Sequence, residues 1–206
     1  MDLEKGFCIW FTGVPASGKS TVATAVEQRL RARGVKLENL DADEVRKNIS
    51  PDLKFSKEDR DMNTKRLAYM ASLLCRNGAS ALIAAVASYR EFRDRARRMI
   101  PHFVEVWVDC PTEECRRRDP KGLYAKGDRG EVNDIAGVHQ PYEAPLNPEL
   151  HLKTDQCTVD EAADMVLRRL EELGYLPKAG AEGTEEVYSA EEEEKIKERL
   201  KSLGYL

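Results

Sequence analysis

The stretch GFCIWFTGVPASGKSTV, residues 6–22, constrains this chain more than any other. The apolar run FCIWFTG (7–13) has the make-up of a buried strand, and Lys19 to Arg33 reads as a helix closed by Gly34. Between them Gly13 to Ser20 fits G-x-x-x-x-G-K-[ST] in full, in the strand–loop–helix setting that the pattern requires. Gly13 and Gly18 let a loop of small or stiff residues, Val14-Pro15-Ala16-Ser17, turn its backbone N–H groups onto a phosphate chain without Cβ clashes. The helix that starts near Gly18 adds the partial positive charge of its N-terminus. Lys19 is then expected to reach the β- and γ-phosphates, and the hydroxyl of Ser20 to hold Mg²⁺, with Thr21 completing the ATP-binding segment. Such loops serve kinases, GTPases and motors alike, so the motif names a ligand and not yet a reaction.

Apolar runs and amphipathic stretches alternate beyond this loop. KLENLDAD (36–43), ALIAAVAS (81–88), FVEVWVD (103–109) and ELHLKTD (149–155) are further strand candidates. A long helix opening at Ser56 with Asp59 as a capping box and ending near Asn77-Gly78 lies between them, as do an arginine-rich helix over 90–100 and another over 158–173. This order predicts an α/β fold, a mostly parallel five-stranded sheet with helices on both faces. Residues 119–148 carry many Gly, Pro and charged residues with little periodicity, which suits a lid or substrate-binding loop. The expected division is a core over 1–176 and an acidic linker plus an extra C-terminal helix over 177–206. RLEELGYL (169–176) recurs there as RLKSLGYL (199–206), each copy ending at a glycine C-cap with a hydrophobic contact behind it.

A net charge of −4 over 206 residues gives no basic excess for a general nucleic-acid binder. Five dispersed cysteines without a CxxC pair, and three histidines, do not form a zinc pattern and suit a reducing compartment. MDLEKGF lacks the form of a signal peptide, and no stretch is long and apolar enough for a membrane span, so a cytoplasmic location is expected. The guanine-reading NKxD of GTPases is missing, and Asp119-Pro-Lys-Gly122 matches D-x-x-G too loosely to count. The size, the single core and the long lid region favour a small-molecule kinase.

Leu40-Asp-Ala-Asp-Glu-Val-Arg46 ends the second strand candidate. Ligands in open α/β sheets bind at the carboxyl ends of strands, so Asp41 and Asp43 are expected beside the phosphate loop. Asp43 could orient an acceptor hydroxyl and take its proton, or help to hold Mg²⁺ through water. Arg60 and Asn63 lie three apart, on one helical face, and with Arg46 could grip an anionic acceptor by forked hydrogen bonds.

With the phosphate loop, LDADEVR, FSKEDRDMN, RDPKGLY (118–124) and PYEAPLNPEL (141–150) stand in the order and spacing of adenylylsulfate kinases, and the chain resembles that family over roughly residues 4 to 176. The resemblance implies a P-loop kinase fold, usually a homodimer. The implied reaction passes the γ-phosphate of ATP to the 3′-hydroxyl of adenosine 5′-phosphosulfate, giving 3′-phosphoadenosine 5′-phosphosulfate. By position it places Lys19 and Ser20 on ATP and Mg²⁺ and makes Asp43 the base. Arg46, Arg60 and Asn63 would lie on the phosphosulfate and ribose side, and Phe55 near the acceptor adenine. Lys121, Gly122 and Leu123 would close over the acceptor, with Arg118 stacked on the adenine of ATP.

Three departures fall on the acceptor side. The family's D-G-D-N reads Asp41-Ala42-Asp43-Glu44, which adds a charge where an anion should bind. Its I-S-P-[FY]-R reads Ala87-Ser88-Tyr89-Arg90, one residue short and without the proline, so Ala87 and Ser88 make an altered wall. Its G-F-T-G, whose ring stacks on the acceptor adenine, reads Asp134-Ile135-Ala136-Gly137, and loss of that stacking at Ile135 could cost about 1–3 kcal/mol. The rival expectations are a kinase of the same fold with a different nucleotide or small hydroxyl acceptor, and a nucleotide-binding module without catalysis.

Overall fold

A computed structural model describes residues 5–178. The five strand candidates form one sheet of β1 (Cys8–Thr12), β2 (Leu37–Asp41), β3 (Ser80–Ala84), β4 (Phe103–Asp109) and β5 (Leu150–Lys153). Every pairing is parallel and the order is β2-β3-β1-β4-β5. β1 lies at the centre with all its residues buried, which is why it reads as an unbroken apolar run. Its alternating side chains feed two cores. Ile9 and Phe11 meet Val22, Val26 and Leu30 of α1 (Lys19–Ala32) and Val166 and Leu170 of α7 (Val159–Glu172). Cys8 and Trp10 meet Leu67, Ala71 and Cys75 of α3 (Lys57–Arg76) and Ala96 of α4 (Arg90–Met99).

The chain departs from the sequence expectation in four places. The run 36–43 leaves the strand at Asp41, whose carboxylate accepts from the N–H groups of Asp43 (2.9 Å) and Glu44 (3.0 Å) and so caps α2 (Ala42–Asn48). The run 81–88 stops pairing as a strand at Ala84, and Ala87 turns the chain with φ +41°. A short helix α5 (Thr112–Arg118) follows β4, and the stretch 119–148 contains α6 (Leu123–Asp128). At Ser56 only half of a capping box forms: its hydroxyl accepts from the Asp59 N–H, but the Asp59 carboxylate accepts from the N–H of Lys54 instead. The reciprocal box is found on α7, between Thr158 and Glu161.

The first GYL copy ends α7 as a Schellman motif. Gly174 takes φ +75°, its N–H donates to Glu171, and the N–H of Tyr175 donates to Leu170 (2.8 Å). Tyr175 then stacks on Phe7 (ring centroids 5.9 Å apart) and Leu176 is buried. The acidic extension expected over 177–206 lies, from residue 179 on, outside the described residues, and so does the second GYL copy. Among the described residues no helix is long and apolar enough to cross a membrane.

Candidate active site

The phosphate loop joins the C-terminal end of β1 to α1. A Cβ on Gly13 would stand 2.3 Å from the carbonyl oxygen of Val108, so only glycine allows β1 to pass this close to β4. Gly18 caps α1 with φ +98°, in the left-handed region. Two contacts from outside fix the loop: Thr154 Oγ1 donates to the Ser17 carbonyl (2.7 Å), and Tyr124 Oη to the Pro15 carbonyl (2.9 Å). Val14 and Ala16 pack on a small apolar cluster of Cys110, Cys115, Tyr124 and Ile135. Lys19 is 8% exposed and donates from Nζ to the carbonyl of Val14 (2.7 Å). Burial lowers its pKa from 10.5 to about 8. Ser20 and Thr21 stand exposed on the first turn of α1.

Arg118 ends α5 beside this loop. Its guanidinium donates to the carbonyl of Thr154 (2.8 Å) and pairs with Glu114 (2.8 Å), which fixes the plane at the mouth of the loop. Cys157, Thr158 and Ala162, at the start of α7, line the cavity at the same end as Arg118 and Thr154.

On the other side of the loop, α2 and α3 bring the acceptor candidates together. Asp41, as helix cap, presents Asp43 one step further on, where Lys121 Nζ meets its carboxylate at 2.5 Å. That hydrogen bond raises the Lys121 pKa. The Phe55 ring is half-exposed and in contact with two guanidinium groups, with Arg46 4.8 Å and Arg60 5.4 Å from its centroid. Arg46 donates to the carbonyl of Lys54 (2.6 Å), and Arg60 to the carbonyls of Phe55 (2.9 Å) and Asp134 (2.7 Å). Burial lowers the pKa of both arginines. Asn63 sits one turn beyond Arg60 on the same face. It is buried, and its Oδ1 has no partner among the described residues.

The wall from Ala85 to Ser88 is built by Arg93, which is 1% exposed. Its guanidinium pairs with Glu105 (2.7 Å) and donates to the carbonyls of Ala87 and Glu143, both at 2.5 Å. The left-handed turn at Ala87 is thus held by a buried cation, and the Ser88 hydroxyl is buried without a partner among the described residues.

These groups line one cavity of about 1270 Å³. Of the site residues expected from sequence, Pro15, Ala16, Gly18, Lys19, Ser20, Thr21, Asp41, Asp43, Arg46, Phe55, Arg60, Asn63, Ala87, Ser88, Arg118, Lys121, Leu123 and Ile135 reach its surface. Gly13, Val14, Ser17 and Gly122 do not and shape it from behind. Gly122, with φ +62°, starts α6. Glu44, expected to add charge near the acceptor, is exposed on α2 and is not part of the lining. Ile135 lines the wall while 2% exposed, as part of the cluster behind the phosphate loop rather than as an open platform. Sequence reasoning missed Thr154, Tyr124, Asp134 and Arg93. Only Thr154 carried a readable signal, at the carboxyl end of β5 where ligands gather.

The comparisons with known proteins agree with this geometry. The family model described as adenylylsulphate kinase matches residues 5–153. An adenylyl-sulfate kinase of Rippkaea orientalis is 47% identical over 85% of this chain and 97% of its own length, and one of Picosynechococcus is 46% identical over 84% and 98%. A probable bifunctional SAT/APS kinase 2 of Sorangium cellulosum is 49% identical, and there the chain spans only 30% of the relative's length. The Mycobacterium tuberculosis APS kinase CysC, solved in complex with AMPPNP and APS, superimposes with a TM-score of 0.78 at 41% identity, covering 81% of this chain and 98% of that one. By motif, fold and likeness over nearly the whole described core, the chain belongs to the adenylylsulfate kinase family.

Proposed function

We propose that this chain transfers the γ-phosphoryl group of ATP to the 3′-hydroxyl of adenosine 5′-phosphosulfate, giving ADP and 3′-phosphoadenosine 5′-phosphosulfate. The observation that carries the reading is the cavity running from Lys19 to Arg46 and Arg60, larger than the usual range for one small ligand and lined at both ends by cationic side chains. In this reading the nucleotide phosphates lie on the N–H groups of the loop and the N-terminus of α1, with Lys19 on the β- and γ-phosphates. Arg118 offers a flat guanidinium face to the ATP adenine. Arg46 and Arg60 take the phosphosulfate, Asn63 turns its free Oδ1 to the acceptor, and Phe55 packs on the acceptor adenine. Asp43 receives the proton of the 3′-hydroxyl as its oxygen bonds to the γ-phosphorus. The bond from that phosphorus to the β–γ bridging oxygen breaks, and ADP leaves. Lys121 orients the Asp43 carboxylate and, with Leu123, covers the acceptor.

The side chains present fit Mg²⁺ that arrives with the nucleotide. Among the described residues no group of three or more carboxylate, His or Cys ligands forms a cage, and a Mg²⁺ ion held by phosphates needs only one or two protein oxygens. Ser20 would be its ligand, with Asp41 or Asp43 reaching it through water, and when bound it would supply neutralisation of charge on the transferring phosphates. The exposed apolar side chains Met62, Tyr69 and Leu73, seven and four residues apart on α3, offer a face for the homodimer that the family resemblance implies. The reading places the enzyme in the cytoplasm, with residues 1–176 as its catalytic body.

The test measures ADP release with ATP, Mg²⁺ and adenosine 5′-phosphosulfate, against no acceptor and against a panel of other nucleotides. Acceptor-dependent ADP release with a 3′-phosphorylated product by mass spectrometry is expected. ATP binding without transfer to this acceptor would overturn the reading.

A further inference from the structure

The loop that follows α6 carries a carboxylate onto one of the two acceptor-side arginines. Asp134 stands where the family pattern begins G-F-T-G, and it lines the cavity beside Arg60. Its carbonyl accepts from Arg60 Nη2 at 2.7 Å, and its carboxylate lies 3.7 Å from the same nitrogen. Both side chains are largely withdrawn from water, at 16% exposure for Arg60 and 32% for Asp134. Arg46 lies within the electrostatic reach of Asp43 and Asp59 and, after them, of the same carboxylate. The neighbouring acid, Glu131, is already paired with Arg129 (2.6 Å). Asp134 is therefore the lid carboxylate directed at the acceptor arginines.

We propose that Asp134 is a specificity-determining residue, an internal anion that competes with the phosphosulfate of the acceptor for Arg60. The inference rests on the reading of the cavity given above. The carbonyl contact survives a side-chain change, whereas the carboxylate, 3.7 Å away, adds a negative charge that any second anion approaching the guanidinium must meet. A flanking carboxylate of this kind weakens anionic acceptors and leaves neutral ones untouched, so it sets discrimination through charge rather than shape.

The test compares the wild-type chain with Asp134→Asn, which keeps shape and removes charge, and with Asp134→Gly. Binding of adenosine 5′-phosphosulfate and of uncharged adenosine is read by calorimetry in the presence of ADP and Mg²⁺, and turnover is read separately. A partly exposed pair of this geometry predicts affinity for the phosphosulfate tighter by roughly two- to five-fold in Asp134→Asn, with adenosine unchanged. The acceptor KM should fall by a similar factor, more than kcat or the KM for ATP moves. The gain should shrink as salt is raised, because screening weakens the competing carboxylate. Equal affinity in wild type and Asp134→Asn would overturn the proposal, and so would a gain shared by adenosine, which would mean a loosened lid. Binding that responds as stated, without phosphoryl transfer in either protein, would overturn the proposed reaction and leave the role of Asp134 standing.

Discussion

Lys19 is a cation that the fold buries at a cost, and that cost can be measured. Its pKa falls from 10.5 to about 8 because burial disfavours the ammonium. A shift of that size corresponds to about 3 kcal/mol of lost stability wherever the residue is charged in both folded and unfolded chains. Lys19→Met removes the charge and keeps most of the volume. The variant also loses the hydrogen bond from Nζ to the Val14 carbonyl, worth about 1 kcal/mol. The balance predicts that Lys19→Met is more stable than wild type by about 2 kcal/mol at pH 7, while nucleotide binding is lost.

The sign of the pH dependence follows from the same numbers. Between about pH 8 and 10.5 the unfolded chain binds more protons at this residue than the folded one, so wild type gains stability as pH rises through that window. The Met variant has no such group, and the difference should close by about 2 kcal/mol between pH 7 and pH 9.5. Urea denaturation without nucleotide at the two pH values, read as the shift in midpoint at constant slope, gives both quantities. A Lys19→Met protein no more stable than wild type at pH 7, or a gap that does not narrow at pH 9.5, would refute the reasoning.

Asp43→Asn should lower kcat by about 10²-fold or more with little change in either KM, in the assay for ADP release; unchanged turnover with both substrates bound would remove Asp43 as base. Arg93→Met breaks the buried pair with Glu105 and frees the carbonyls of Ala87 and Glu143, so stability in urea should fall by about 3–5 kcal/mol. The acceptor KM should rise with it, because the wall at Ser88 loses its anchor. Gly13→Ala drives a methyl group to 2.3 Å from the Val108 carbonyl oxygen, and calorimetry should find ATP affinity and thermal stability reduced together.

Strong local rules made the core legible. β1 is buried on both faces, so it appears as an unbroken apolar run, and its sequel Gly13 to Ser20 admits one chemistry. α3 and α7 announce themselves through Ser56 and Thr158, side chains that cap a helix whatever the rest of the fold does. The short helices were hidden for the converse reason. α2 and α5 have seven residues each and α6 has six, too few turns for a hydrophobic period to show. The cap on α2 is Asp41, at the end of a strand, and a single acid after an apolar run reads equally well as a strand terminus. Arg93 was hidden because an arginine among four others in 90–98 looks like a solvated face, and its burial depends on Glu105, Ala87 and Glu143, which lie outside its own helix.

The acceptor side shows how a substitution can be read correctly as a departure and still be assigned the wrong consequence. Read as part of a strand end over Leu40 to Arg46, Glu44 adds charge to the site. Once Ala42 starts a helix, the residue two positions on turns to solvent and drops out of the lining. Ile135, read from sequence, removes a ring from the acceptor side. In the fold it lies with Tyr124, Cys110 and Cys115 behind the phosphate loop, so its first effect is to support that loop. The residue before it was read only as the start of a motif, yet its carbonyl and carboxylate both reach Arg60. Charge survives a change of backbone position better than ring stacking does, because a pair at 3.7 Å still attracts whereas a displaced ring loses its contact. In this loop the discriminating change is therefore the carboxylate at Asp134, more than the missing ring at Ile135.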